Sequence, residues 1–498
     1  MDSYPPRFDQ LYSISDLHLG GRQGFQMFAQ GPLLAGVIDR LRENMAAEER
    51  LALVINGDFI DFLAEHPDRY FNHQGAVADL ERVMADPAFA PVFEALARFV
   101  ATPGNVLVIN LGNHDLELCL PAVQHALLSR LAGDDPVARD RIHIIADGSG
   151  YCCRVGGCKA LFVHGNETDA WNRVDFSDLL AIRAAYNSGR EPKTYRANIG
   201  TRLVIDILNE IKTTYRFVDL LKPELPLALA VLYSVMEDRS RLGRWLLRLP
   251  GVFLDLSYLP ILSVLNGEEA RELPGEVTEP LQELRDMLAV IAPAPDDAAL
   301  LETAWQHYVE KTPPDDFDDP AARLSERRLR DLAWYSRSLM AIVDSPWKRA
   351  ERLRKTLRET LKEDRSFEIS SPDKISRKRA AIAGDAIHFL VAGHTHLRRS
   401  ITLSSEQHYF NSGTWTDLLC FPAPLLEDEK RFFVVYEALR KGLPPESLEE
   451  LERKMVRKEY TLVHIRAKDN GAVGQLLQAG SDGDLVPVNH SSRQIRMP

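Results

Sequence analysis

The sequence predicts an α/β fold, and two observations carry that expectation. Between Leu11 and Gly165, short apolar runs of strand length alternate with stretches whose apolar residues recur at helical spacing. Five apolar runs in the chain also end in Asp, Asn or His, usually beside Gly. They are Ser13-Ile14-Ser15-Asp16-Leu17-His18, Val54-Ile55-Asn56-Gly57-Asp58, Val106-Leu107-Val108-Ile109 leading to Gly112-Asn113-His114-Asp115, Leu161-Phe162-Val163-His164-Gly165, and Leu390-Val391-Ala392-Gly393-His394-Thr395-His396. Open α/β sheets place their sites on loops at strand ends.

In chain order, a strand ends at Asp16 and a helix spans Gly31 to Glu49, with Leu33, Leu34, Val37, Ile38 and Leu41 at helical spacing. The strand Leu51–Ile55 leads into Gly57-Asp58. Val77–Met84 and Pro91–Val100 predict helices, and the strand Val106–Asn110 leads into Gly112–Asp115. Pro121–Leu131 predicts a helix whose proline suits the first turn. Ile142–Ile145, Tyr151–Val155 and Lys159–Val163 predict strands. From Thr168 to about Ala386 the chain is expected to be helical. Candidate helices are Thr201–Leu221, Leu225–Leu249, Glu279–Ile291, Ala322–Val343 and Trp347–Leu361, with Pro/Asp-rich breaks at Pro293–Asp297 and Thr312–Pro320. Strands are expected again at Ala386–Ala392, Ser400–Leu403, His408–Phe410, Arg431–Tyr436 and Glu459–Ile465. Pro444–Lys458 is expected as a charged helix or linker, and the polar stretch from Gly480 as loose. The expected organisation is a first catalytic part at 1–167, a helical insertion or cap at 168–385, a second catalytic part at 386–470 and a polar tail at 471–498.

At 498 residues the chain exceeds one ordinary domain. Its net charge of −12 argues against tight nonspecific nucleic-acid binding without excluding a local basic groove. The five cysteines do not form a secreted disulfide framework. Cys152, Cys153 and Cys158 are expected as buried hydrophobes on a hairpin turning at Gly156-Gly157, in preference to a metal clip. Met1–Gln10 has no signal-peptide core and no apolar run suits a membrane span, so a cytoplasmic protein is expected.

The strand ends supply Asp16, His18, Asp58, Asn113, His164, His394 and His396. Alone, each has a bland reading as a loop polar residue or a satisfied core histidine. Together, these imidazoles, carboxylates and an amide oxygen suit Mn, Fe or Zn. Seven ligands exceed one tetrahedral site but fit two divalent ions sharing a carboxylate. Period-2 spacing puts His394 and His396 on one face if they lie in a strand.

In their order, Asp16-Leu17-His18, Gly57-Asp58, Gly112-Asn113-His114-Asp115, His164-Gly165 and Gly393-His394-Thr395-His396 resemble the five motifs of the calcineurin-like metallophosphoesterases. The resemblance covers about Leu11–Gly165 and Ala386–Ile465. It implies a four-layer α/β/β/α metallophosphoesterase sandwich, here with a large helical insertion. It also implies a phosphoesterase that cleaves a phosphodiester or pyrophosphate with metal-activated water, Mn being the first expectation for the two ions. By motif, Asp16, His18 and His396 would hold one ion, Asn113, His164 and His394 the other, and Asp58 would bridge. His114 would donate a proton or hydrogen bond to the phosphate and leaving group. In the phosphatase branch an acid at the place of Asp61 holds this histidine, and Asp115 is the competing candidate here.

Within the family, Ser15–Gly20 and Gly57–Phe62 are similar to the UDP-2,3-diacylglucosamine hydrolases. Those enzymes typically carry Arg where His114 stands and Asp where Asn166 stands. The expected partner is a phosphorylated small molecule or a lipid-linked substrate, with nucleic acid as the alternative. The apolar segment Val252–Leu265, near arginines such as Arg239, Arg241, Arg244 and Arg248, admits peripheral membrane contact, although the core of the insertion is the favoured reading. The Asn411-Ser412-Gly413-Thr414-Trp415 run resembles a general phosphoesterase feature, expected as a strand and turn closing the second sheet. A binding module on a dead fold would be expected to lack some of the ligands, and all seven are present.

Overall fold

The computed structural model describes residues 5–22, 26–46, 48–66, 69–237 and 345–497. The chain divides into two compact units. Unit 1 comprises Met1–Thr201, Arg365–Asp417 and Lys458–Pro498, and unit 2 comprises Arg202–Asp364 and Leu418–Arg457.

Unit 1 is a mixed α/β structure with two sheets. Its strands in chain order are β1 (Arg7–Phe8), β2 (Gln10–Ile14), β3 (Leu51–Asn56), β4 (Asn105–Asn110), β5 (Ile142–Ile145), β6 (Tyr151–Val155), β7 (Cys158–Phe162), β8 (Phe389–Ala392), β9 (Arg399–Thr402) and β10 (His408–Asn411). After the short pair β11 (Leu418–Leu419) and β12 (Val456–Arg457) of unit 2 come β13 (Thr461–Lys468), β14 (Gly471–Ala479), β15 (Leu485–Pro487) and β16 (Arg493–Arg496). One sheet runs β15-β14-β13-β2-β3-β4-β5, with β16 also paired to β14. The other runs β1-β6-β7-β8-β10-β9. Strands β2 to β5 are mutually parallel, as are β7, β8 and β10.

Every residue of β3 and β4 is buried, as expected for parallel strands covered on both faces. One face, with Leu51, Leu53, Ile55, Leu107 and Ile109, packs on the helices Gly31–Glu43, Ala76–Ala85, Ala90–Ala101 and Pro121–Ala132. The other face presents Leu11, Ala52, Val54, Val106 and Val108. It shares a core with Ala160, Phe162, Phe389, Val391 and Phe410 of the second sheet.

Polar side chains cross this apolar layer at the strand ends. The Asn56 amide donates to the carbonyls of Val163 (2.9 Å) and Val391 (3.3 Å). The Asn110 amide donates to the Asn56 side-chain oxygen (2.8 Å) and to the Phe162 carbonyl (3.2 Å). Asn411 does similar work at the end of β10, donating to the Gly393 carbonyl (2.6 Å) and accepting from Gly413 N (2.8 Å). Buried amides left without partners would be expensive.

Most expected elements are present. The Cys152–Cys158 hairpin turns at Gly156-Gly157, where both φ values are positive, as a tight two-residue turn requires. All five cysteines are free. Three expectations differ from the structure. Arg431–Tyr436 is not a strand but part of the helix Glu429–Arg440. Its buried residues Phe432, Val435, Tyr436 and Leu439 recur at helical spacing, and Asp428 caps it by accepting from Arg431 N (2.9 Å). The stretch after Gly480 is not loose, since β15 and β16 pair with β14. Thr201–Leu221 is helical only to Lys212, in a continuous run from Ile199 that is π-helical over Val204–Leu208, and a separate 3-10 turn follows at Val218–Leu220.

The boundaries expected at 168 and 385 both fall inside unit 1, and 418–457 groups with unit 2. Unit 2 packs the helices Glu224–Val235, Pro346–Thr360, Ala423–Glu427 and Glu429–Arg440. The hydroxyl of Tyr436 donates to the Ser234 carbonyl (2.8 Å), and Arg354 donates to the Leu426 carbonyl (3.0 Å). The helices expected at Glu279–Ile291 and Ala322–Val343, the C-terminal half of Leu225–Leu249, both Pro/Asp-rich breaks, the arginine cluster Arg239–Arg248 and the apolar segment Val252–Leu265 lie outside the described residues. Among the described residues, no helix is long and apolar enough to cross a membrane.

The asparagine bridge makes a direct prediction. Asn56→Ala removes both donors to the second sheet and one acceptor of Asn110. It should lower stability by about 1–3 kcal/mol, read as a shift in the urea midpoint of the circular dichroism signal. An unshifted midpoint would mean that the bridge contributes nothing net to joining the sheets.

Candidate metal centre

The five expected strand ends converge at one end of the two sheets. Asp16 and His18 follow β2, Asp58 follows β3, and Asn113 and His114 follow β4. His164 follows β7, and His394 and His396 follow β8. The loops are tied by their backbones. Asp16 N donates to the Gly57 carbonyl (3.1 Å), and Leu17 N and His18 N both donate to the Asp58 carbonyl (2.9 Å each). Gly393 N donates to the His164 carbonyl (2.7 Å), and His394 N reaches the Asp16 carboxylate at 2.9 and 3.0 Å.

This wiring bends the chain sharply. Seven described non-glycine residues have positive φ, and five of them are Asp16, His18, Asp58, His394 and His396. Left-handed backbone at such residues is disfavoured and gathers at functional sites. Close approach does the rest. A Cβ on Gly112 would lie 2.1 Å from Asp58 Oδ1, and one on Gly57, at φ +89°, would lie 2.2 Å from His164 Nδ1.

Among the described residues, three groups of potential ligand atoms each lie within 4.8 Å of one another: Asp16 with His18 and His396, Asp16 with Asp58 and His164, and His18 with Asp58 and His114. His18 Nε2 is 3.1 Å from His396 Nε2 and 3.7 Å from Asp58 Oδ2. His164 Nε2 is 3.2 Å from the same Asp58 oxygen, and His396 Nε2 is 3.5 Å from Asp16 Oδ1. Asp58 therefore faces both His18 and His164 from one oxygen. Asn113 Oδ1 is buried without a hydrogen-bond partner, the kind of acceptor that a cation satisfies.

The cluster is almost closed to water, with Asp16 at 0% exposure and Asp58 at 2%. Burial raises the Asp16 carboxyl, with His164 opposing and the Asp58 charge adding to the rise. Burial also works against Asp58, but His164 and His114 hold it well below the ordinary carboxylate range. Burial would lower His164, yet Asp58 takes it up to about 9. Two buried carboxylates thus demand positive charge beside them. A proton on His164 answers part of that demand, and a divalent cation answers it more fully. The donor set, its burial and the orphaned Asn113 oxygen all fit divalent metal.

Asp61 is the acid that holds His114. Its Oδ1 lies 3.1 Å from His114 Nδ1, while its Oδ2 lies 3.3 Å from His18 Nδ1. Burial opposes its ionisation, but His114 and His18 keep its carboxyl far below the usual range. Asp115, the competing candidate, is used otherwise. It accepts from Gly112 N (2.6 Å) and Phe59 N (2.8 Å), bracing the Gly112–Asp115 turn against the Asp58 loop. Burial, followed by the Asp58 charge, pushes it up to about 7. His114 is half-buried, packs edge-on to His18 at 4.7 Å between centroids, and lends its backbone N to Asp58 Oδ1 (2.9 Å).

His394 belongs to none of the three groups. Its ring lies 5.3 Å from that of His164, and its Nε2 is 2.8 Å from Asp169 Oδ2. Burial opposes the Asp169 charge, but the His394 contact brings its carboxyl down to about 2. Sequence reasoning missed Asp169. The signal lay in its position, five residues after His164 within Asn166-Glu167-Thr168-Asp169, where the expected helical insertion hid it. The Asn411–Trp415 run also does more than close a sheet. The hydroxyl of Thr414 donates to the Asp16 carbonyl (2.7 Å), and the hydroxyls of Ser412 and Ser15 are 2.7 Å apart, so this run grips the first ligand loop.

A comparison of the chain with protein-family models, with curated proteins and with solved structures finds no match.

The fit of Gly112 gives a test of the cluster. Gly112→Ala sets a methyl against the Asp58 carboxylate. It should displace that side chain and destabilise the fold by about 1–3 kcal/mol, as overpacking does. Mn binding by titration calorimetry should weaken in the folded variant. Unchanged binding would place Asp58 outside the metal site.

Proposed function

We propose that this chain is a metal-dependent phosphoric ester hydrolase with a dinuclear centre. The supporting observation is the convergence of Asp16, His18, Asp58, His164 and His396 in one buried cluster. The motif order read from the sequence agrees with it. On this reading, the helices, the two sheets sharing a core and the elements over the second sheet form the four-layer sandwich of the calcineurin-like metallophosphoesterases. Asp16, His18 and His396 hold one ion, Asn113, His164 and His394 hold the other, and Asp58 serves both. When bound, such ions supply a nucleophile from water at neutral pH and neutralise charge on a phosphoryl oxygen.

The chain's own residues then do the following. Asp61 fixes the His114 ring by pairing with Nδ1, and Nε2 is the atom proposed to meet the substrate. Protonated at Nε2, His114 donates to the leaving oxygen as the phosphorus–oxygen bond breaks. Asp115, which accepts from Phe59 N, and the backbone N of His114, which donates to the Asp58 carboxylate, keep Asp58 in place meanwhile. A phosphodiester or pyrophosphate is the favoured substrate class. Mn is the favoured metal because the ligand set mixes imidazole, carboxylate and amide oxygen.

Two experiments test this reading. Protein stripped of metal by chelation should lose hydrolysis of bis-p-nitrophenyl phosphate and regain it with Mn. Full activity in metal-free protein would refute the proposal. Single substitutions then separate ligand from acid. Asp58→Ala should lose both metal and rate. His114 is near enough to His18 and Asp58 to count as a third-group ligand by distance, so metal content decides its role. His114→Ala should keep both ions by elemental analysis and lose about 10²–10⁴-fold in kcat. That loss should shrink with a p-nitrophenolate leaving group and be greatest with an alkoxide. Loss of an ion in His114→Ala would make it a ligand.

A further inference from the structure

We infer that Asp169 is a positioning residue that fixes His394 to bind its divalent ion through Nδ1, and that the turn at Asn198–Thr201 keeps Asp169 in place through Asn172. The inference rests on the metal reading above and extends it to residues that the sequence motifs do not include.

The argument begins with the imidazole. A neutral ring has one N–H and one lone pair. Asp169 Oδ2 lies 2.8 Å from His394 Nε2, and a carboxylate only accepts, so Nε2 carries the hydrogen. The lone pair is then on Nδ1, and Nδ1 is the atom left for a metal. Ligand histidines commonly donate their other ring N–H to a carboxylate, which sets the tautomer and raises ligand basicity. The arrangement differs from that of His18, whose Nδ1 is the atom turned to a carboxylate, Asp61, while Nε2 faces the cluster.

Asp169 is itself held. Its Oδ1 accepts from Trp171 N (3.0 Å), and its Oδ2 accepts from the Asn172 amide (2.7 Å) as well as from His394. Its backbone N closes the turn Asn166–Thr168 onto the Asn166 carbonyl (3.0 Å). Glu167 in that turn accepts from Gly165 N (2.8 Å) and pairs with Arg379. Asn172 is boxed in from the far side. Gly200 N donates to the Trp171 carbonyl (2.7 Å), and a Cβ on Gly200 would lie 1.9 Å from Asn172 Oδ1. Thr201 N donates to Asn198 Oδ1 (2.8 Å), closing the turn that carries Gly200. A run of direct contacts therefore leads from Gly200 through Asn172 and Asp169 to His394.

The test uses the full-length protein, labelled with ¹⁵N-histidine, stripped of metal and loaded with ¹¹³Cd. The expected result is ¹¹³Cd coupling at the Nδ1 signal that disappears in His394→Gln. Calorimetric titration with Mn should show that Asp169→Ala weakens one of the two ions about 10–100-fold and leaves the other unchanged. Gly200→Ala should weaken the same ion by less. If Asp169→Ala does not fold, Asp169→Asn keeps an acceptor oxygen and should retain Nδ1 coupling with a smaller loss. Coupling at Nε2, no coupling at His394, or unchanged affinity in a folded Asp169 variant would overturn the inference while leaving the dinuclear reading intact. Wild-type protein that bound no Cd would overturn both.

Discussion

The structure of unit 1 depends on keeping two carboxylates, Asp16 and Asp58, side by side and nearly dry. Buried charge is costly unless it is paired, and these two groups repel each other. Their neighbours answer that constraint. His164 and His18 approach Asp58, His396 approaches Asp16, and backbone N–H groups of His394 and His114 meet the two carboxylates directly. The same loops hold five residues in left-handed backbone, at roughly 1–3 kcal/mol each. A fold selected for stability alone would not collect these features in one place. They persist because the surrounding strands over-determine the loops, which is the usual relation between strain and a working site.

The proposed ligands come from both sheets. Asp16, His18, Asp58 and Asn113 follow strands of the larger sheet, whereas His164, His394 and His396 follow strands of the smaller. The distance between the sheets therefore sets the size of the site. An apolar layer can slide, because dispersion contacts are numerous but undirected. Hydrogen bonds cannot slide without breaking. The amides of Asn56, Asn110 and Asn411 are placed where the apolar layer meets the ligand loops, and they pin the separation there. Asn56 also accepts from His164 through its backbone oxygen, 2.9 Å from Nδ1, so one residue both spaces the sheets and directs a ligand ring.

What was legible in the sequence was set by how local its cause is. The strand runs and the helical spacing of Leu34, Val37, Ile38 and Leu41 show through because one face of each element is buried. The proposed ligands show through because the tight turns that carry them need Gly at fixed neighbours, as at Gly57, Gly112 and Gly393. Arg431–Tyr436 misled because a continuous apolar run suits either a buried strand or a helix, and only the Asp428 cap and the burial of Leu439 decide between them. β14 was invisible because Gly471, Gly474, Gln475 and Gln478 break its apolar pattern, and β15 and β16 are short, largely exposed strands of 3 and 4 residues with meaning only beside it. Asn56, Asn110 and Asp169 were missed for a different reason. Each acts on a partner far along the chain, and spacing carries no trace of such a contact.

Asp61 shows how little freedom the resulting site has. Its two oxygens are divided between His114 and His18, and Oδ1 also caps the short helix Phe62–Glu65 by accepting from Ala64 N (3.1 Å). The separation of three residues between Asp58 and Asp61 is what this geometry needs. Asp58 sits in the left-handed turn after β3, and the helix that follows starts on Asp61. The Asp61 carboxylate thus fixes the tautomer of His18, a proposed ligand, and the orientation of the proposed proton donor His114. Any movement of one ring is transmitted to the other through a side chain that is itself anchored at a helix start. The proposed proton donor and the proposed ligand are in this way held by one side chain, so the position of each ring is set by packing around Asp61.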